Sequence, residues 1–453
     1  MAVTPDDPSV GRADLALLTD LYQLTMLQAY WQTDMHELAT FSLFVRHLPA
    51  ARNYLLACGL DDALAAVSAL RFQPAHIEYL RSLGFFQPEF LDWLQTFRFQ
   101  GDVYGVPEGT PVFAEEPILE VVAPIAQAQL IETAIMNQVH VQTVIASKAA
   151  RIVAAARARP VVDFGLRRAA GTDAGMKLAR ASFIAGTRAT SNLLAGQRYG
   201  IPVAGTMAHS FVQAFDDEYD ALRAFAQLYP GTTLLVDTYD TLQGVRNVIQ
   251  LAAELGPQFN VRALRLDSGD LVALSRQARQ LLDEAGLSNV QLFASGGLDE
   301  YALRDLLDAG ASFDGFGVGT RLAVSEDAPS LDMAYKLTSY AQRDRFKLST
   351  GKRSLPGQKQ VFRVERDGRA VHDVIGRFDE RLDGRPLLQP VMQNGARLLP
   401  PVPLPELQQR TRAALATLPE PLHSLEPAEQ PYPVTLSAHM EAALQWAAQR
   451  KED

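Results

Sequence analysis

The chain has 453 residues, 47% of them hydrophobic, enough to bury a large core and to build two or three structural units. Its 52 acidic residues outnumber 42 basic ones for a net charge of -10, so a polyanion such as nucleic acid is not an expected partner. A single cysteine, Cys58, excludes an internal disulfide and any multi-cysteine metal site. No uninterrupted apolar run reaches the roughly 18 residues of a membrane helix, and Met1 to Asp14 lacks the apolar core of a signal peptide. The expectation is a soluble cytoplasmic protein with no membrane partner.

Up to about residue 145 the sequence reads as a mixed α+β domain. Leu15 to Trp31 is helical in pattern, and Thr40 to Val45, Val103 to Val106, Pro111 to Phe113 and Ile118 to Val122 read as short strands between Pro and Gly turns. An Ala-rich stretch from Ala126 to Ala156 reads as one or two helices. The texture then changes. Short apolar strands recur at Pro160 to Asp163, Val203 to Thr206, Thr233 to Asp237, Ala263 to Asp267, Val290 to Ser295 and Phe313 to Val318, each followed by a helical stretch. Successive βα units imply a parallel sheet, with closure into a barrel favoured. The expected class is α/β: an irregular (β/α) barrel over residues 146–340, an N-terminal α+β domain over 1–145, and a C-terminal segment over 341–453 packing on either. That last section carries a Pro-rich loop, Pro400 to Pro405, and ends in a helix expected over Thr435 to Gln449.

In a barrel, functional residues gather where strands end and βα loops converge. Those ends carry Phe164 and Arg167, Thr206 and His209, Asp237, Asp267 and Ser268, Ser295, and the Gly317 to Thr320 loop. Gly, Asp and Ser at such places also serve as turn formers and caps, but turn chemistry requires neither His nor Arg.

Each motif has a chemical and a structural reading. In Gly205-Thr206-Met207-Ala208-His209-Ser210, His209 precedes an amphipathic helix bearing Phe215, Tyr219, Leu222 and Phe225. Beside a helix N-terminus a neutral imidazole suits phosphoryl transfer as a nucleophile, while a capping histidine is the alternative. Gly315-Phe316-Gly317-Val318-Gly319-Thr320 offers backbone N–H groups to a phosphate, and Ser295-Gly296-Gly297 supplies a second open turn or a plain glycine turn. The Gly315 to Thr320 segment has neither the spacing nor the place of a dinucleotide fingerprint. Arg265, Asp267, Ser268 and Asp270 put a cation and two carboxylates at one strand end, able to pair an anion and to hold magnesium directly or through water; Ser268 capping the next helix, with Asp270 in its first turn, is the alternative. Phe164 beside Arg167 and Arg168 makes a clamp for a flat carboxylated ring, or one arginine is spent on a structural ion pair. No Walker A sequence is present.

Together these segments resemble the nicotinate phosphoribosyltransferase family. The resemblance runs through Leu17 to Met26, Phe164 to Arg168, Ala189 to Asn192, Gly205 to Phe211, Leu264 to Leu271, Gly317 to Thr320, Leu348 to Lys352 and Pro356 to Gln360. It implies an enzyme of NAD biosynthesis that joins nicotinate to 5-phosphoribosyl 1-diphosphate, giving nicotinate mononucleotide and diphosphate. ATP hydrolysis through a phosphorylated histidine, here His209, accompanies the transfer, with Mg2+ as cofactor and Asp267 as its candidate ligand through water. The resemblance further implies a homodimer with shared active sites, the pyridine ring lying between Phe164 and Tyr22 of the other subunit. Arg167, Thr206 and Arg265 match positions contacting nicotinate or its nucleotide, and Gly319 and Thr320 match the ribose-phosphate loop.

Three alternatives stay open at this stage. A nicotinamide phosphoribosyltransferase of the same fold places an aspartate where Ser191 stands between Thr190 and Asn192; an aspartate repels a carboxylate, whereas serine donates to it. A catalytically silent relative would bind metabolite without releasing diphosphate. An aldolase or isomerase would need a lysine or an acid/base pair at a strand end, and none of these ends carries lysine. Lys336, Lys347, Lys352 and Lys359 either reach phosphates or face solvent, with solvent the expected fate of most.

Overall fold

The computed structural model describes residues 11–347 and 354–449, so the Leu348 to Lys352 motif and the signal-peptide reading of residues 1–10 lie outside the described residues. The chain divides into two compact units. The first comprises the described parts of 1–144, 330–403 and 413–453, and the second comprises 145–329 and 404–412.

In the first unit a seven-stranded antiparallel sheet runs in the order Arg343–Asp344, Met333–Tyr340, Leu38–Val45, Pro117–Pro124, Asp102–Gly105, Gln389–Gln393, Ala396–Arg397. Leu38–Val45 is buried on both faces from its second residue onward, which is why it reads as a continuous apolar run rather than an alternating one. Phe41 stacks on Tyr335 of the neighbouring strand with ring centroids 4.9 Å apart. The expected helix over Leu15 to Trp31 is two pieces, a 3-10 turn at Arg12–Ala16 and a helix at Leu21–Gln32. The expected final helix also starts late, because Val434–Leu436 pairs in parallel with Arg369–Arg377 before Ala438–Gln449 turns helical.

The second unit is a parallel six-stranded sheet in the order Ala189–Thr190, Val161–Asp163, Gly315–Val318, Gln291–Ala294, Val261–Leu266, Thr232–Leu235. Helices follow the strands, and aspartate side chains start three of them: Asp240 accepts from Gln243 N–H, Asp270 from Ala273 N–H and Asp299 from Ala302 N–H. The expected strand at Val203 to Thr206 is not one. Val203 makes a single parallel bridge to Thr190, and the Thr206 hydroxyl donates to Thr233 O at 2.6 Å. This segment therefore links the two edge strands of a curled half-barrel without completing a ladder. The strand that sequence reading missed is Ala189–Thr190, too short to show a period.

No helix among the described residues is long and apolar enough to cross a membrane.

Candidate active site

A cavity of about 550 Å3 opens where the strands of the second unit end. Phe164, Arg167, Ser191, Thr206, His209, Arg265 and Asp267 all line it. Four separate segments of sequence deliver them, as the strand-end argument requires. A second cavity of about 480 Å3 inside the half-barrel shares Phe164, Gly205 and Thr206 with the first.

His209 is the first residue of a helix, but that helix is only His209–Gln213. The long amphipathic helix expected from Phe215 to Phe225 breaks at Asp217, whose side chain accepts from Tyr219 N–H and starts a separate helix at Glu218–Leu228. A single-turn helix has little dipole, so the anion-favouring field expected at His209 is weak. What fixes the ring instead is Thr238, whose hydroxyl lies 3.2 Å from Nδ1, while Nε2 faces Asp267 Oδ2 at 3.9 Å. Thr238 escaped the sequence reading because a threonine after a strand carries no signal of its own.

Arg265 is fully engaged. Its Nε donates to Ser295 Oγ at 2.7 Å, Nη2 to Asp267 Oδ1 at 2.6 Å and Nη1 to Met207 O at 3.3 Å. The guanidinium also stands 5.9 Å from the centre of the Phe164 ring, within cation–π range. Ser295 Oγ donates in turn to Asp267. Burial pushes the Asp267 carboxyl up, but hydrogen bonds from Ser295 and Arg265, with the Arg265 charge, outweigh it and hold the group below its ordinary value. Arg167, by contrast, is exposed and has no partner among the described residues. It is a cation lining the cavity that is left available to an anion.

Asp237 lies behind the Asp267 turn. Its Oδ2 accepts from Asp267 N–H at 2.8 Å and from the Ser268 hydroxyl at 2.7 Å, so Ser268 does not cap the following helix; Asp270 does. The other oxygen, Oδ1, is buried without a hydrogen-bond partner.

The glycines divide by role. Gly317 packs under Phe164, since a Cβ there would lie 2.4 Å from the ring. Gly296 has φ +88°, and a Cβ would meet Asp267 O at 2.0 Å, so this turn is open because the Asp267 backbone presses against it. Gly297 also has positive φ but faces open space. Gly319 and Thr320 start the short Thr320–Ala323 helix, with Gly319 O close against Gly165 and Thr320 exposed.

Tyr22 belongs to the first unit, on the Leu21–Gln32 helix, and is 48% exposed. Its hydroxyl lies 3.4 Å from Glu132 Oε2, which also accepts from Gln23 at 2.8 Å and from Gln129 at 2.9 Å. Lys347 is exposed and Lys336 half-buried, but Lys359 is buried in the first unit against Glu120 at 3.3 Å and does not face solvent.

Comparison with known proteins identifies the family. The model of the nicotinate phosphoribosyltransferase N-terminal domain matches residues 17–140, and that of the nicotinate phosphoribosyltransferase family matches 160–353. A Mycobacterium tuberculosis protein named nicotinate phosphoribosyltransferase pncB2 is 55% identical, over 93% of this chain and 91% of that protein. The chain belongs to the nicotinate phosphoribosyltransferase family. A further member, nicotinate phosphoribosyltransferase of Bacillus subtilis, is 40% identical over 83% of this chain and 79% of its own length. Among solved structures, human nicotinic acid phosphoribosyltransferase superposes with a TM-score of 0.84 at 28% identity, covering 94% of this chain and 99% of that one. The family's N-terminal model begins at residue 17, in the same stretch as Tyr22, and its main model spans every residue lining the rim cavity.

Proposed function

We propose that this chain is a nicotinate phosphoribosyltransferase of NAD biosynthesis, transferring the 5-phosphoribosyl group of 5-phosphoribosyl 1-diphosphate to nicotinate and releasing nicotinate mononucleotide and diphosphate. The observation that carries the reading is a single cavity walled by the Phe164 ring, the free Arg167 and Ser191, in a chain of this family. A flat ring stacks on Phe164, its carboxylate pairs with Arg167, and Ser191 donates a further hydrogen bond. The ring nitrogen attacks C1 of the ribose as the C1–oxygen bond to diphosphate breaks. Holding nitrogen and C1 in line is the main service the pocket performs.

ATP enters the same reading as a co-substrate. In the tautomer that carries its proton on Nδ1, hydrogen-bonded to the Thr238 hydroxyl, His209 presents the lone pair of Nε2. Nε2 attacks the γ-phosphorus, the bond to ADP breaks, and a phosphohistidine forms; its later hydrolysis makes the overall reaction ligase-like. Mg2+ suits the carboxylates present. Asp237 Oδ1 is buried and unpartnered beside Asp267, and two carboxylates with substrate oxygens and water are an ordinary magnesium set. Bound there, the ion would neutralise charge on the departing diphosphate. No cluster of three or more ligating side chains exists among the described residues, so water and substrate oxygens would complete the ion's coordination.

In this reading Gly319 and Thr320 hold the ribose phosphate, and Ser295, Gly296 and Gly297 frame the sugar. Tyr22 serves the active site of the other subunit in a cytoplasmic homodimer. The test is mononucleotide formation from nicotinate and from nicotinamide, each with and without ATP. Nicotinate should be preferred and ATP stimulatory. Equal use of nicotinamide would overturn the substrate assignment, and binding of nicotinate without diphosphate release would favour a silent metabolite-binding protein.

A further inference from the structure

Asp163 ends the strand that leads into Phe164, is fully buried, and was not among the candidate site residues. Its Oδ1 accepts from Gly165 N–H at 2.8 Å, which closes the turn carrying Phe164. Its Oδ2 accepts from the Thr190 hydroxyl at 2.7 Å, and its backbone oxygen accepts from Ser191 N–H at 2.9 Å. Thr190 relays the contact onward, since its hydroxyl also accepts from Asn192 N–H at 3.1 Å. Asn192 is anchored in turn, accepting from Ala195 N–H at 3.1 Å and donating to Gly175 O at 3.2 Å. Ser191 thus stands half-exposed between two buried, fully bonded neighbours. On the other side Phe164 N–H donates to Val318 O at 2.8 Å, and the Gly317 surface supports its ring.

We propose that Asp163 is a positioning residue: its carboxylate joins the Phe164 turn to the Ser191 loop, and so sets the gap that distinguishes a carboxylated from an amidated pyridine. This rests on the nicotinate reading above. A carboxylate is required because both groups around it donate, and only an acceptor on each oxygen satisfies both. An amide in its place would aim an NH2 at a threonine hydroxyl that already accepts Asn192 N–H, leaving the hydroxyl proton without an acceptor.

Asp163→Asn, Thr190→Val and Thr190→Ser test this by steady-state kinetics, varying pyridine and 5-phosphoribosyl 1-diphosphate separately, together with calorimetric titration of nicotinate. Asp163→Asn and Thr190→Val should each raise the KM and Kd for nicotinate about ten- to a hundredfold, with kcat within about threefold and the KM for 5-phosphoribosyl 1-diphosphate unchanged. The nicotinate-to-nicotinamide ratio of kcat/KM should fall with them. Thr190→Ser, which keeps the hydroxyl, should retain wild-type values. Unchanged nicotinate affinity in Thr190→Val overturns the proposal, as does a parallel rise of both KM values with a lowered Tm. Failure of the functional reading is separable: a wild-type chain that binds nicotinate but makes no mononucleotide sinks the activity, and the titrations still decide Asp163. A wild-type chain that does not bind nicotinate sinks both.

Discussion

The hydroxyl of Thr238 stands 3.2 Å from Nδ1 of His209, leaving Nε2 directed toward Asp267 and the cavity. One ring nitrogen is held by the threonine, and the other is left facing the cavity. If Nε2 accepts the γ-phosphoryl group, Thr238→Val should free the ring to rotate and slow phosphohistidine formation about ten- to a hundredfold. His209→Ala should abolish both the acid-labile phosphate and ATP stimulation of turnover. Labelling with γ-radiolabelled ATP reads the first and mononucleotide formation the second. Full labelling in Thr238→Val would show that the hydroxyl has no orienting role.

The Arg265–Asp267 pair makes a pH prediction of definite sign. Hydrogen bonds and the Arg265 charge overcome burial and hold the Asp267 carboxyl below its ordinary value in the folded chain. Such a group contributes stability above its unfolded pKa of about 3.9, and that contribution is lost as pH falls through the lowered folded value. Asp267→Asn should therefore destabilise the chain by about 1 to 2 kcal/mol near neutrality, a figure reduced because the carboxylate is partly solvated. Urea unfolding of wild type and variant at about pH 7 and again at about pH 3 should show the difference shrinking. A gap that persists undiminished in acid would mean the effect is packing rather than charge.

These contacts also show which parts of the molecule sequence could reveal. Strand ends were legible because short apolar runs meet Gly, Asp and Ser, and that pattern brought Phe164, Arg265 and Asp267 to one rim, whereas His209 reaches the same rim from a segment that forms no strand. Partners were not legible. Asp163 reads as an ordinary strand end, and nothing in its neighbours says that Thr190 is 2.7 Å away across a strand pairing. The helix after His209 kept its apolar spacing in sequence, yet Asp217 offered its side chain to Tyr219 N–H, and the local cap won over the longer period. Lys359 follows a Pro-Gly turn and left only solvent or a phosphate to expect, because burial of its charge depends on Glu120, more than two hundred residues earlier in the chain.

Gly317 illustrates a residue whose purpose lies in what it omits. It is not among the glycines of positive φ, so alanine suits the backbone there, but a Cβ would lie 2.4 Å from the Phe164 ring and 3.1 Å from that of Phe293. Gly317→Ala should push Phe164 into the cavity and raise the KM for nicotinate about tenfold, with less effect on kcat. Adding Phe164→Leu should relieve the clash and restore stability without restoring affinity. A Gly317→Ala enzyme with unchanged KM would show that the ring can shift at no cost to binding.

Lys359 and Glu120 form a pair in which both side chains are removed from water. Lys359 Nζ also donates to Leu355 O at 3.3 Å and Gly357 O at 2.5 Å, tying down the Pro356 to Gln360 turn. Burial pushes the Lys359 amine down and the Glu120 carboxyl up, each partly offset by the other's charge, so neither tolerates loss of its partner. Lys359→Met should cost about 3 to 5 kcal/mol by stranding a buried carboxylate, whereas the double change Lys359→Met with Glu120→Leu should recover most of it. Denaturant midpoints measure this. Turnover per folded molecule separates the roles: a structural lysine leaves the KM for 5-phosphoribosyl 1-diphosphate untouched in the double variant, and a selective rise in that KM would make Lys359 a phosphate contact instead.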